Sequence, residues 1–421
     1  MDKFIITGGK QLRGSTKVSG AKNASLALMP AALLAPGKSV LTNTPELNDV
    51  FTMIKLLKHL GVEASFSNSI LELNTANITN YNAPYEHVKK MRASVYVLGP
   101  LLTRFGYAKV SLPGGCAWGP RPINLHLEGL KKMGAEIELS EGYIIAKAEK
   151  LHGAKIHFDV SSVGATGNLL MAAVLAKGTT VISNAAIEPE ITNLADFLLK
   201  MGAKIDGINT SVLTVEGVDS LTATDIETIS DRIEAGTILI AGAITKGHVT
   251  IERIDPKFLN ALLQKMEDSG CKVTLKNHSI EIDATDISIT PTNVSTAPFP
   301  GFATDMQAQW TAYMTLANGV STVTDTIYLD RFMHVPELVR LGADIVVKEN
   351  IAVIKGVSKL KGAKVMSTDL RASASLVLAG LAAKGKTEVL RVYHLDRGYQ
   401  RIEEKFRSLG AEIERVEGKE Y

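Results

Sequence analysis

The amino-acid sequence predicts an α/β chain built from six copies of one unit, three to a domain. Two observations carry this. A helix pattern closing in Leu/Met-Gly-Ala or a near variant, then an alternating strand, recurs at Gly61, Gly134, Gly202, Gly270, Gly342 and Gly410. The intervals are 73, 68, 68, 72 and 68 residues, and self-similarity at a fixed period sets the architecture before local detail. Each copy also holds a second helix, apolar on nearly every side, over 23–35, 94–105, 165–176, 232–245, 306–317 and 371–383. Runs such as LLMAAVLA and LVLAGLAA describe helices buried all round.

In chain order, each unit reads as strand, buried helix, strand, amphipathic helix and two more strands. The amphipathic series, for example LEGLKKMGA and RIEEKFRSLGA, carries charge on one side and faces water. The glycine behind each such helix is a C-cap signal. Six units exceed one compact core, which divides the chain into a domain over 21–229 and a second over 1–20 plus 230–421, switching near 225–231. The first 20 residues are too short for a unit and are expected to complete the second domain.

Composition removes several functions. Lys and Arg number 46 against 44 Asp and Glu, a formal charge of +2 that argues against a dedicated nucleic-acid binder. Two cysteines make no disulfide framework, so a reducing cytoplasm is expected. The opening residues lack a signal-peptide core, and no apolar run is long enough to span a bilayer. Nothing points to a membrane or to an obligate protein partner. The nine histidines are scattered without zinc spacing. No GxGxxG, GK[ST] loop or GxSxG elbow is present, so no metal and no cofactor is expected.

Polar residues gather where the apolar helices begin. Lys22 and Asn23 open the first, Arg92 precedes the second, and Ser161–Gly164 opens the third. Arg232, Asp305, and Asp369 with Arg371 mark the other three. Helix N-termini present free N–H groups and partial positive charge, so they attract anions. If the buried helices run parallel, three such ends converge in each domain, and two facing sets would line a cleft. Simple N-capping accounts for Ser161 and Asp369. It accounts badly for Lys22 and Arg92, since a cation there is unfavourable without an anionic partner. Arg331 in LDRF and Arg397 in LDRG supply two more cations, for phosphate or carboxylate or for the neighbouring aspartates.

The stretch LPGGCAWGPRPINL, 112–125, sets Cys116 among glycines and prolines between an alternating run over 107–112 and an amphipathic helix over 126–133. Such a loop can present one side chain and move as a lid. Arg121 follows in the same loop. An incidental cysteine in a surface turn is the plain alternative. Acid–base chemistry between Asp305 and Cys116, acting on a small polyanion, is the most economical reading of these groups.

The motifs SGAKNASLALMPAALLA (19–35), LPGGCAWGPRPINLH (112–126), SSVGATGNLLMAA (161–173), PGFATDMQAQ (300–309), DRFMHVPELVRLGAD (330–344), TDLRASASLVLAGLA (368–382) and HLDRGYQRIEEKFRSLGAEI (394–413) together resemble the UDP-N-acetylglucosamine enolpyruvyl transferase family over essentially the whole chain. The resemblance implies two inside-out α/β domains, each with pseudo-threefold symmetry around buried parallel helices. It implies transfer of enolpyruvyl from phosphoenolpyruvate to the 3′-hydroxyl of UDP-N-acetylglucosamine by addition and elimination, the first committed step of peptidoglycan precursor synthesis, with release of phosphate. By the same resemblance Cys116 is proton donor and can form an adduct with phosphoenolpyruvate, and Asp305 is the base at the sugar hydroxyl. Lys22, Arg121 and Arg397 hold phosphate and carboxylate beside Asn23, and Asp369 and Arg371 complete that pocket. Arg92, the segment Arg121, Pro122, Ile123, Asn124 and Leu125, then Ser162, Val163, Gly164 and Ile327 bind the nucleotide sugar. Arg331 matches a family arginine near the cleft.

The chain departs from the commoner pattern at Asn124, where aspartate is usual, at Val160, where some members have lysine, and at Trp118, which replaces a smaller residue. These departures imply altered nucleotide-sugar affinity rather than lost activity. Whether Cys116 acts mainly as acid or as nucleophile is left open by sequence, since nearby arginines lower a thiol's pKa. The sister enzyme that makes 5-enolpyruvylshikimate 3-phosphate lacks the PGGC loop, and a non-catalytic paralogue has no use for Lys22, Cys116, Asp305 and Arg397 together.

Overall fold

A computed structural model describes residues 2–89, 91–112 and 123–417. Two compact units emerge, Gly20–Ile229 and Met1–Ser19 with Ser230–Tyr421. Each has its own hydrophobic core. No described helix is long and apolar enough to cross a membrane.

Among the described residues the strands form six four-stranded sheets with one plan. A short strand lies parallel to a central strand, followed by two antiparallel strands. Lys155–His157 runs parallel to Thr179–Ser183, which pairs antiparallel with Val212–Glu216, which pairs with Lys204–Asp206. In five of the six sheets the last two strands are the tail of one repeat, entered through its glycine; in the sixth, one of them is Asp2–Thr7. All six repeat glycines adopt positive φ, between 93° and 105°. A side chain is strained there, which is why glycine recurs.

The repeats lend strands to one another. Ile226–Glu227 completes the sheet begun by Lys38–Thr42 in the Gly20–Ile229 unit. In the other unit, Arg13–Lys17 lies parallel to His248–Glu252. Asp2–Thr7 sits between Lys386–Leu390 and Glu412–Glu417, antiparallel to both.

The inner helices are Lys22–Ala31, Leu98–Phe105, Val163–Ala173, Arg232–Ile244, Gln307–Met314 and Leu370–Ala382. In Arg232–Ile244 every residue after the first is buried, and all eight of Gln307–Met314 are. Burying side chains such as Ile238, Leu239 and Ile240 contributes roughly 1.5–3 kcal/mol each. The last three inner helices pack on one another. Two start later than the apolar pattern suggests, because 3₁₀ turns at Arg92–Val97 and Thr304–Met306 lead into them. The first ends early, passing into a 3₁₀ turn at Ala32–Leu34. Tighter turns of this kind are common at helix ends.

Candidate functional site

In the unit Met1–Ser19 with Ser230–Tyr421, the starts of the inner helices are tied by charge. Asp305 lies in the Thr304–Met306 turn, and its two carboxylate oxygens accept from different arginines. Arg331 Nη2 is 2.8 Å from Oδ1 and Arg371 Nη2 is 2.9 Å from Oδ2. Arg371 is buried. Burial alone would lower its pKa, but Asp305, then Tyr399 and Asp231, outweigh that and raise it, so the guanidinium stays charged. Its Nη1 donates to the Tyr399 hydroxyl at 3.1 Å. That hydroxyl lies 3.0 Å from Thr237 Oγ1 and 3.2 Å from Gln309 Nε2, so one polar cluster touches all three inner helices.

Asp369 caps its helix as expected, its Oδ1 accepting from the backbone N–H of Arg371 and Ala372 at 2.8 and 3.1 Å. Asp231 caps Arg232–Ile244 in the same way. Arg232 itself lies over the Phe299 ring at 5.5 Å, a cation–π distance.

A second layer holds Arg331 and Ile327. Arg331 Nη1 donates to Thr304 Oγ1 at 3.0 Å, and that hydroxyl donates to Asp325 Oδ2 at 2.8 Å. Asp325 Oδ1 accepts from Thr296 Oγ1 and from the backbone N–H of Ile327 and Tyr328. Burial pushes the Asp325 carboxyl up, and these donors pull against it. The loop bearing the exposed Ile327 is therefore pinned from beneath.

The two LDR phrases do not pair with themselves. Arg331 reaches Asp305. Asp396, next to Arg397, is gripped through both oxygens by Arg415 at 2.8 and 2.5 Å. Arg397 closes the Val392–Arg397 turn, within electrostatic reach of His394. Burial lowers the His394 pKa, Asp369 opposes that, and Arg397 and Arg391 reinforce it.

In the unit Gly20–Ile229, Lys22 has the anionic partner its position demands. Its Nζ stands 3.6 Å from the buried Asp49 carboxylate, in the first turn of the neighbouring helix Asn48–Leu60. Asn23 beside it is exposed. At the third inner helix the cap is Ser162 and not Ser161, its Oγ accepting from Ala165 N–H at 3.2 Å. Asn124 is the exposed first residue of the helix Asn124–Lys132, flanked by half-buried Ile123 and Leu125. Val160 is exposed.

His126 gathers these pieces, and sequence reasoning missed it. Its Nδ1 is 3.0 Å from Asn168 Nδ2, whose amide also donates to Val95 O at 3.0 Å and accepts from Gly99 N–H at 2.7 Å. A Cβ placed on Gly164 would lie 3.2 Å from His126 Nε2. Burial lowers the His126 pKa to about 4, with Arg92 adding to the effect. A neutral His126 thus stands beside Gly164, within electrostatic reach of Arg92, in the first turn of the Asn124 helix. The available signal was its place directly after Leu125 in the loop motif. Tyr399, in HLDRGYQ, and Gln309, in PGFATDMQAQ, were likewise inside quoted motifs but looked like core. Cys116, Arg121 and Pro122, with Trp118, lie outside the described residues.

The comparisons agree along the whole chain. The family model for EPSP synthase (3-phosphoshikimate 1-carboxyvinyltransferase) matches residues 6–406. A protein of Chloroherpeton thalassium named UDP-N-acetylglucosamine 1-carboxyvinyltransferase is 59% identical over 418 residues, 99% of this chain and 97% of that one. Proteins of the same name from Chlorobium limicola and Hydrogenovibrio crunogenus are each 55% identical, covering 100% and 99% of this chain and all of theirs. The crystal structure of the enolpyruvyl transferase NikO from Streptomyces tendae superposes with a TM-score of 0.89 at 23% identity, over 99% of both chains. EPSP synthase from Acinetobacter baumannii gives 0.78 at 18% identity, over 99% of this chain and 100% of that one. The structural likenesses establish the inside-out two-domain α/β fold. Together with the full-length identities they place the chain in the EPSP synthase (3-phosphoshikimate 1-carboxyvinyltransferase) family of enolpyruvyl transferases, beside the members named UDP-N-acetylglucosamine 1-carboxyvinyltransferase.

Proposed function

We propose that this chain transfers the enolpyruvyl group of phosphoenolpyruvate to the 3′-hydroxyl of UDP-N-acetylglucosamine, releasing phosphate, in peptidoglycan precursor synthesis. The observation that carries the reading is full-length identity of 55–59% to proteins named for that reaction. Cytoplasmic action belongs to the same reading and is supported by the low cysteine count.

The chemistry needs two proton movements. The sugar oxygen adds to carbon 2 as its hydroxyl gives up a proton, and carbon 3 gains one. Loss of a proton from carbon 3 then expels phosphate from carbon 2 and restores the double bond. Asp305 takes the hydroxyl proton, and Cys116 supplies the proton to carbon 3. Lys22, Arg121, Arg371 and Arg397, with Asn23 and Asp369, hold the phosphate and carboxylate and offset charge that develops in the transition state. Arg92, Arg121–Leu125, Ser162–Gly164 and Ile327 take the nucleotide sugar, and Arg331 orients Asp305. In support, Asp305 is half-buried between two guanidiniums, and Arg92 and Gly164 share one neighbour in His126. Phosphate release with phosphoenolpyruvate and either UDP-N-acetylglucosamine or shikimate 3-phosphate tests the assignment. Turnover is expected with the nucleotide sugar only; turnover with shikimate 3-phosphate alone would move the chain to the reaction in the family model's own description.

A further inference from the structure

We propose that two copies of this chain associate through the open edge of the sheet that ends in Asp344–Lys348, forming one continuous antiparallel sheet across a two-fold axis at Val346.

This edge differs from its five counterparts. In its sheet the order is Val294–Ser295, Val320–Thr324, Ile351–Lys355, Asp344–Lys348, so the last strand has one strand neighbour. On one face it exposes Asp344, Val346 and Lys348, an acid, an aliphatic and a base. Val346 is 54% exposed and stands in register with exposed Val353. Ile351 and Val320 extend the apolar surface on the same sheet, and Val347 is exposed at the edge itself. Unpaired edges of this kind invite another strand unless charge or brevity blunts them.

The other edges in the same sheet position are blunted. Two-fold pairing of Glu136–Ser140 would set Glu138 against itself, and the two central registers of the six-residue Glu412–Glu417 would set either Glu414 or Arg415 against itself. Pairing of Lys272–Lys276 would oppose Lys272 to Lys276. Glu63–Ser67 offers no opposite charge to Glu63, and Lys204–Asp206 is three residues long with Ile205 buried. At Asp344–Lys348 the axis places each Asp344 against the partner's Lys348 and exposed Val346 against the partner's Val346, whereas Lys204–Asp206, which would also oppose unlike charges, has only buried Ile205 between them. Opposite charges facing across strands stabilise a pair, and like charges oppose it.

The backbone phase fits as well. Residues 349–350 form a two-residue turn between Lys348 and Ile351, which makes those two a hydrogen-bonded pair. Alternation then points the N–H and C=O of Ile345 and Val347 outward. A two-fold axis at Val346 brings Ile345 opposite the partner's Val347, in hydrogen-bonding position on both sides. A contact of one isologous patch is closed and stops at a dimer.

Sedimentation velocity of the full chain tests this. The wild type is expected to pass from monomer to dimer between about 1 and 100 µM, the range for a small interface. Asp344→Lys sets two lysines together at each end and is expected to weaken association at least about tenfold. Adding Lys348→Asp restores it, and Val346→Lys abolishes it. Phosphate release stays at the wild-type level in all variants, showing that they fold. Amide exchange at Ile345 and Val347 slows as wild-type concentration rises. A wild type that stays monomeric at about 100 µM, an Asp344→Lys protein that dimerises like wild type, or a double variant that fails to recover each overturns the proposal.

Discussion

Arg371 and Asp305 bridge two inner-helix starts across 2.9 Å, and Arg371 is the buried member. Removing the carboxylate strips a buried cation of its main partner, which is costlier than the pair's own strength. Asp305→Ala is expected to lower unfolding free energy by about 3 kcal/mol, read by urea titration. Asp305→Asn, which keeps the shape, is expected to cut kcat by about 10²–10⁴ while nucleotide-sugar binding changes little. Wild-type turnover in the asparagine variant would remove Asp305 from the proton path.

Thiol chemistry separates the two cysteines. Cys271 is buried, 3.4 Å from the Tyr313 hydroxyl, and burial raises its pKa, both of which make it inert. A thiol-alkylating mimic of phosphoenolpyruvate is therefore expected to label Cys116 and leave Cys271 intact, as intact-protein and peptide mass spectrometry will show. Cys116→Ala is expected to lose labelling and turnover but keep nucleotide-sugar binding. Full turnover in that variant would end the assignment of Cys116.

Asn124 opens a helix that has no acid in its first turn. Asn124→Asp adds a negative charge at the positive helix end, worth about 0.3–1 kcal/mol in stability. If residue 124 contacts the nucleotide sugar, the same change shifts the KM for that substrate with little effect on kcat. An unchanged KM would place the residue outside the binding site.

Two buried histidines set the acid limit. Burial depresses His126 to about 4 and His334 to about 3, with Arg92 and Arg331 adding in the same direction. A depressed folded-state pKa means that the unfolded chain binds the proton first. Their contribution is complete above about pH 6.5 and is lost as pH falls through about 4 and then about 3, at up to about 1.4 kcal/mol per pH unit for each group. Stability measured by denaturant from pH 7 to pH 4 is expected to fall with this slope. His126→Gln is expected to reduce it, and NMR is expected to show both rings neutral at pH 5. A ring that titrates near 6.5 would contradict its burial.

The repeat was legible because each copy needs the same backbone event. A helix must reverse into a strand through a left-handed residue, so glycine marks Gly61, Gly134, Gly202, Gly270, Gly342 and Gly410. The inner helices were legible because no face of theirs meets water. Partner choice was not. Nothing local to Lys22 names Asp49, and nothing in LDRG says that Asp396 belongs to Arg415. Both pairings join segments that only the tertiary fold brings together. His126 and Tyr399 were hidden for a different reason. Each is a half-polar side chain in an apolar setting, where pattern alone reads core, and its hydrogen bonds decide otherwise.

The strand Asp2–Thr7 finds its two neighbours only at Lys386–Leu390 and Glu412–Glu417. On the ribosome, this strand must therefore wait for partners made far later in the chain, while the contiguous stretch 20–229 can consolidate in the interval. The usual order of N-terminal maturation is inverted for the lobe that carries Asp305. Translation pauses between 229 and 386 would leave that ribbon uncovered longest, which is when a chaperone would have most to shield.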